Sequence, residues 1–295
     1  MSVVNESISR RVTLGYIVSH YGFELEPGFC GGVTVTSIAD SPDSVRPGAL
    51  YVLKSADDPS SLSLAVARGA YAVMVPPALA SAARSAGVPA LLADPNPETM
   101  GALASDIAGT PANTMAVFVV CGDDDQEIQA DVVRLANFLH MLGNPVGIIS
   151  ASGSSSLERE LEMTCPLGIL DVQHALAVCS EDGAAAMVIS ADGETLRPGA
   201  LEGVNVDVLG SIETLNRTQS DDMLETSRSR YGFSIDERKR LVTCTEESGW
   251  LVGQTMVSGG LQGQRRLSLA IAMALDAGVR RSNIRNALRV SKEMQ

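Results

Sequence analysis

Apolar and polar positions follow two rhythms along this chain. Continuous apolar runs read as strands: YAVMV at 71–75, closed by Pro76 and Pro77, MAVFVVC at 115–121, PVGIISAS at 145–152 and AAAMVIS at 184–190. The unbroken run at 115–121 has the character of a strand covered on both faces of a parallel sheet. Other stretches place apolar residues three and four apart. The clearest begins after residue 125, where Ile128, Val132, Leu135, Leu139 and Leu142 share one helix face and Gly143 can end it.

These rhythms divide the chain into two blocks. In the first, residues 9–22 predict a short helix with Val12, Ile17 and Val18 apolar. Residues 32–54 predict strand, turn and strand, with the turn marked by Ser41-Pro42-Asp43 and Pro47-Gly48. A helix over 60–70 closing at Gly69, a helix end and strand in 82–95, and a helix begun by Asn96 and Pro97 complete a small α/β unit. The linker is predicted at 109–114, GTPANT, giving domains at 1–112 and 113–295. The second block continues with helices near 167–181, 265–279 and 280–291 and a strand-like segment at 205–212. Its alternation of strand and helix predicts a doubly wound sheet. The stretch 226–240, TSRSRYGFSIDERKR, reads as polar and exposed.

Composition narrows the function. The chain has 295 residues, 45% of them hydrophobic, and a net charge of -13. That balance suits a globular cytoplasmic protein, and the charge argues against nucleic acid and anionic membranes as partners. No apolar run reaches the ~18–20 residues of a membrane span, and the N-terminal stretch shows no signal-peptide core. The five cysteines (30, 121, 165, 179, 244) form no C-x-x-C pair, and the three histidines (20, 140, 174) are isolated, so no metal is expected. Lysine occurs only at 54, 239 and 292, so chemistry that needs a lysine between 55 and 238 is excluded.

The segment 117–139, VFVVCGDDDQEIQADVVRLANFL, raises the central question. A strand, a turn and an amphipathic helix make the frame of a phosphate site, yet the turn carries Asp123, Asp124 and Asp125. On the plain structural reading these carboxylates cap the helix and complement its positive N-terminus.

The order of blocks resembles the Mur ligase family, most closely the UDP-N-acetylmuramoyl-tripeptide synthetases. Residues 36–52 (TSIADSPDSVRPGALYV) are similar to the family's T-x-I-x-x-D-S-R-x-V-x-P-G-x-L-F-V, and AVARGAYAVMV at 65–75 extends the match. The resemblance implies a UDP-binding domain, a central ATPase domain and a third domain, joined in an ATP- and Mg-dependent amide ligase. It implies that Ala39, Asp40 and Ser41 line a uridine pocket, with Pro42 replacing the family's arginine and a shortened loop at 54–61. The family's G-T-N-G-K-T-T falls on Cys121, Gly122, Asp123, Asp124, Asp125, Gln126 and Glu127, so Asp125 takes the place of the phosphate-binding lysine. Opposite charges ~4 Å apart attract by ~4 kcal/mol at an effective dielectric near 20, so this replacement reverses a large interaction. The resemblance also implies that Thr164, in Thr164-Cys165-Pro166, is a vestigial substrate contact. The family's magnesium glutamate and histidine segment falls on 188–192, and its Asp-His segment on 212–218, without those residues. The family's phenylalanine and two asparagines near the end become Arg265, Arg266 and Leu269. The match stops where the third domain would begin.

The expectation is therefore a degenerate, catalytically inactive relative without ATP or Mg. It would bind UDP-N-acetylmuramoyl peptide or a cell-wall or division protein. The alternatives are an active ligase, alone or with a partner subunit, and a receiver-like Mg-binding signalling domain with Asp171 as phosphoacceptor. Arg265 and Arg266 with Arg280 and Arg281 are candidates for a basic patch, although solvated helix charges are the favoured reading.

Overall fold

A computed structural model describes residues 12–53, 60–253 and 260–293. The chain separates into two compact units, Met1–Thr110 and Pro111–Gln295.

The first unit runs β1 Val12–Thr13, α1 Leu14–Tyr21, β2 Glu24–Glu26, β3 Thr34–Val35, β4 Ser37–Ala39, β5 Ala49–Val52, α2 Ser60–Ala67, β6 Ala70–Val75, α3 Ala80–Ser85, β7 Ala90–Leu92 and α4 Pro97–Ile107. The main sheet has the order β2-β7-β6-β5-β4, parallel except for the antiparallel edge β2, and β1 pairs with β3 separately. Ala49, Leu50, Tyr51 and Val52 are all buried, as a strand covered on both faces requires. The connection between parallel β4 and β5 is too short for a helical crossover, and a 3-10 turn at Pro42–Ser44 shapes it. Gly48 ends that connection at φ +92°, its N–H donating to the Gly69 carbonyl at 3.1 Å and its carbonyl accepting from the Thr36 N–H at 3.0 Å.

The helix expected over 9–22 begins only at Leu14, because Val12 and Thr13 join β3 and the Thr13 hydroxyl caps the helix through the Tyr16 N–H at 3.1 Å. Residues 9–11 and 54–59, part of the shortened loop, lie outside the described residues. Asn96 caps α4 through the Thr99 N–H at 2.8 Å, with Pro97 at the first helical position.

The second unit runs β8 Ala116–Val120, α5 Asp125–Met141, β9 Val146–Ile149, β10 Ser154–Ser156, β11 Arg159–Leu161, α6 Ile169–Glu181, β12 Ala186–Ser190, β13 Asn205–Val206, β14 Val208–Gly210, α7 Arg217–Tyr231, β15 Ser234–Ile235, α8 Glu246–Val252, α9 Gly260–Asp276 and α10 Arg281–Glu293. The sheet order is β11-β10-β9-β12-β8-β14, with β9, β12, β8 and β14 parallel. Alternate residues of one strand feed opposite cores. Phe118 and Val120 meet Ile128, Val132 and Leu135 of α5, Met273 of α9 and Ile284 of α10. Val117 and Val119 meet Val172 and Leu176 of α6 and Leu224 of α7. Each such side chain contributes about 1.5–3 kcal/mol by leaving water. Both faces of the sheet are covered, as in a doubly wound fold.

Three features differ from the sequence expectation. The segment 205–212 is two strands in two sheets, because Asp207 breaks it and accepts the Val117 N–H at 2.8 Å. The hairpin β10–β11 was not foreseen, since its serine-rich strands carry little apolar signal. The stretch 226–240 is not uniformly exposed: Tyr231, Phe233 and Ile235 are buried under the sheet.

Candidate functional site at the carboxyl end of the central sheet

β8, β12 and β14 end level, with Val120 beside both Ser190 and Gly210. Their following turns make a crest at the carboxyl ends of parallel strands, the usual ligand side of an open α/β sheet. Cys121 continues β8 by donating its N–H to the Gly210 carbonyl at 2.9 Å. Its side chain is buried, and burial pushes the thiol up to about 12, so it stays protonated at neutral pH.

Beyond Cys121 the turn is held by carboxylates of the chain itself. Glu213, in the turn after β14, accepts the Asp123 N–H at 2.7 Å. A methyl group on Gly122 would lie 3.1 Å from the same Glu213 oxygen. Asp124 is the N-cap of α5 and accepts the Glu127 N–H at 2.9 Å. Asp125 is the first helical residue, and Gln126 is exposed. Glu127 accepts from Gln262 at 2.6 Å and from Arg266 at 2.7 Å, both on α9. The Arg266 hydrogen bond, helped by Gln262, holds the Glu127 carboxyl below the usual range. A helix N-terminus offers free N–H groups and partial positive charge to an anion. Here Glu213 and Asp124 each supply a carboxylate to those N–H groups.

The turn after β12 is equally self-contained. Asp192 is buried and accepts the Glu194 N–H at 2.9 Å and the Thr195 N–H and hydroxyl at 2.8 Å each, along with the Ser190 hydroxyl. The Thr195 hydroxyl oxygen accepts the Ala151 N–H at 2.9 Å, tying in the turn after β9. Gln129 of α5 donates to Glu194 at 2.9 Å. A methyl group on Gly193 would lie 3.1 Å from an Arg230 nitrogen and 3.9 Å from an Asp125 oxygen, so this glycine marks where α7 and the acidic turn approach.

The other expected residues lie apart from these turns. Thr164 is exposed, in the segment between β11 and α6. That segment bonds to the Asp192 turn through the Leu167 N–H and the Thr195 carbonyl at 2.8 Å. In the first unit, Ala39 is buried at the end of β4 and Asp40 is exposed. Ser41 caps the 3-10 turn, its hydroxyl accepting the Asp43 N–H at 3.3 Å.

Two readings are corrected. Asp171 lies in the first turn of α6, not at a strand end, and its carboxylate accepts the Gly168 N–H at 2.8 Å. A receiver's phosphoacceptor does not sit in such a place. The basic patch, the less favoured reading of the four arginines, finds no support at Arg266 and Arg281, which are ion-paired. Arg265 donates to the Ile212 carbonyl at 2.9 Å, Arg266 binds Glu127, and Arg281 pairs with Glu247 on α8. Lys239 is 2.8 Å from Asp276. Among the described residues no three His, Cys, Asp or Glu side chains converge closely enough to hold a metal.

The sequence reading gives Glu213 and Gln262 no site role, and it names Arg266 only in the replaced end motif and the basic patch, not beside the acidic turn. Glu213 had one usable signal, a carboxylate directly after a strand whose end lies beside the acidic turn. Gln262 and Arg266 had none, since they lie more than a hundred residues from Glu127.

No protein-family model matches the chain. It is 29% identical over 188 residues to a UDP-N-acetylmuramoyl-L-alanyl-D-glutamate–2,6-diaminopimelate ligase of Streptomyces coelicolor, covering 60% of this chain and 35% of that protein. It is 28% identical over 245 residues to a UDP-N-acetylmuramyl-tripeptide synthetase of Leifsonia xyli subsp. xyli, covering 80% of this chain and 47% of that protein. The chain thus matches about a third to a half of the length of these curated relatives. Among solved structures, a ligase with the first of those names superposes with a TM-score of 0.59 at 12% identity, over 94% of this chain and 66% of the other. MurF from Acinetobacter baumannii gives 0.53 at 12% identity, over 94% and 67%. By sequence similarity and by fold, this chain is a Mur ligase-like protein.

Proposed function

We propose that this Mur ligase-like chain does not carry out ATP-dependent ligation. It acts as a binding, scaffold or regulatory protein in peptidoglycan precursor metabolism. The observation that supports this reading is the bond from the Asp123 N–H to Glu213, which gives a phosphate-type turn an internal carboxylate. ATP with its magnesium does not fit these residues. A polyanion entering the turn would displace Glu213 and meet Asp123, Asp124 and Asp125, with Asp125 where the resemblance expects lysine. Each exchange of attraction for repulsion at ~4 Å is an effect of several kcal/mol at an effective dielectric near 20.

The ligand class assigned is the one in the curated relatives' names, a UDP-N-acetylmuramoyl peptide. In the first unit Ala39, Asp40 and Ser41 take its uridine end. The reading places the protein in the cytoplasm with a cell-wall or division protein as partner.

Thermal unfolding with UDP-N-acetylmuramoyl-dipeptide, UDP and Mg·ATP in parallel tests this. A ligand at ~100 times its Kd stabilises by ~2.7 kcal/mol. The expected result is a raised Tm with the UDP compounds and no change with Mg·ATP. A raised Tm with Mg·ATP overturns the loss of ligation. No response to the UDP compounds removes precursor binding and leaves a scaffold.

A further inference from the structure

Asp131 lies on α5 one turn beyond Glu127 and is 3% exposed. Neither of its carboxyl oxygens has a hydrogen-bond partner. Arg266 Nε on α9 is 3.5 Å from Asp131 Oδ1 and has no hydrogen-bond partner either. The same guanidinium donates from Nη2 to Glu127 at 2.7 Å. One arginine thus faces two carboxyl groups a turn apart and is hydrogen-bonded only to the outer one. A buried carboxylate without hydrogen bonds is costly, while the neutral acid is far less so.

The charged and titratable groups facing Asp131 are Glu127 on α5, Arg265 and Arg266 on α9, and Cys244 in the segment before α8. The strands packed under α5 (β8, β9 and β12) carry no titratable residue.

We propose that Asp131 is a proton-operated switch in the seam between α5 and α9. Protonated, it lets Arg266 stay on Glu127 and keeps the seam closed. Ionised, it draws Arg266 inward and loosens the first turns of α5, which carry the acidic crest. Burial, opposed by the two arginines, pushes the Asp131 carboxyl up to about 7. Its folded value therefore lies above the unfolded one of ~3.9. The stability contributed by the bound proton is complete below the unfolded value and is lost as pH rises through about 7. Glu127 is held low and stays ionised over this window, and burial holds the Cys244 thiol up and neutral.

The test is a side-chain carboxyl 13C NMR titration of the full chain, with thermal unfolding and amide exchange of wild type and Asp131→Asn at pH 5.5 and 8. The expected midpoint for Asp131 lies within about one unit of 7. The wild-type Tm should fall relative to that of D131N between the two pH values, and amide protection in the first turns of α5, taken relative to the intrinsic exchange rate at each pH, should fall only in wild type. A midpoint below about 5 overturns the proposal, since the carboxyl would then be ionised throughout. So does a Tm difference that ignores pH. The NMR titration of the unmodified chain decides the matter even if D131N does not fold.

Discussion

Residues 36–52 and 121–127 resemble the same family, but they have kept different things. In 36–52 the matching residues do structural work. Val45, Leu50 and Val52 are buried, and Gly48 completes the turn that brings parallel β4 and β5 together. In 121–127 the packing positions stay small or apolar, with Cys121 buried and Gly122 facing Ile128. Where a phosphate would be faced, the Asp123 N–H is taken by the Glu213 carboxylate and the Asp124 carboxylate takes the Glu127 N–H. On the proposed function, the contrast is that of a ligand loop that outlasts its ligand chemistry. Its N–H groups need acceptors, and any well-placed acceptor serves.

The two regions should therefore respond differently to substitution. The largest effect is expected at Gly48→Ala. Its φ of +92° disfavours a side chain, and a Cβ there would lie 2.5 Å from the Thr36 hydroxyl oxygen. Urea unfolding of the first unit should show a loss of about 2–3 kcal/mol. A loss under about 0.5 kcal/mol would show that the match at 36–52 is not held by the backbone. A smaller effect is expected at Asp124→Ala, which removes the cap of α5. The expected loss is about 1 kcal/mol, with Asp124→Asn near neutral because the amide still caps. If D124A instead stabilised the second unit, mutual repulsion among Asp123, Asp124 and Asp125 would outweigh capping. The acidic turn would then not be an internally satisfied one.

How much was legible follows the same division. The strands at 116–120 and 186–190 and the helix at 125–141 were readable because one continuous run or one helical stripe suffices to specify them. The short edge strand Glu24–Glu26 was not, since three residues carry no periodicity and its pairing with Ala90–Leu92 is set by the distant strand. Tyr231, Phe233 and Ile235 were misread because charged neighbours mask which residues turn inward. At the crest, the acidic triad was visible in one line of sequence. What occupies it was not, because Glu213 and Arg266 reach it only through the order of the strands and the packing of α9.

The smallest effect, and the sharpest test of how the crest is neutralised, is Glu127→Gln. Arg266 is 2.7 Å from Glu127 in a pair whose side chains are 25% and 39% exposed, so water and salt screen part of the attraction. Replacing the carboxylate should cost about 0.5 kcal/mol at pH 7 and less at high salt. The pH sign is fixed by the lowered carboxyl of Glu127. A group depressed on folding stabilises above its unfolded value, and that contribution is lost as pH falls through the folded one. The gap between wild type and E127Q should therefore be open at pH 7 and close on acidification. That is the reverse of Asp131, one turn away on the same helix and facing the same arginine. Paired unfolding series for E127Q and D131N, carried from pH 8 down to about 2.5 so that the lowered value of Glu127 is crossed, separate the two carboxyls by sign. If both gaps moved in the same direction with pH, Arg266 would not divide the outer carboxylate from the inner acid. The acidic turn and the α5–α9 seam would then be a single electrostatic unit.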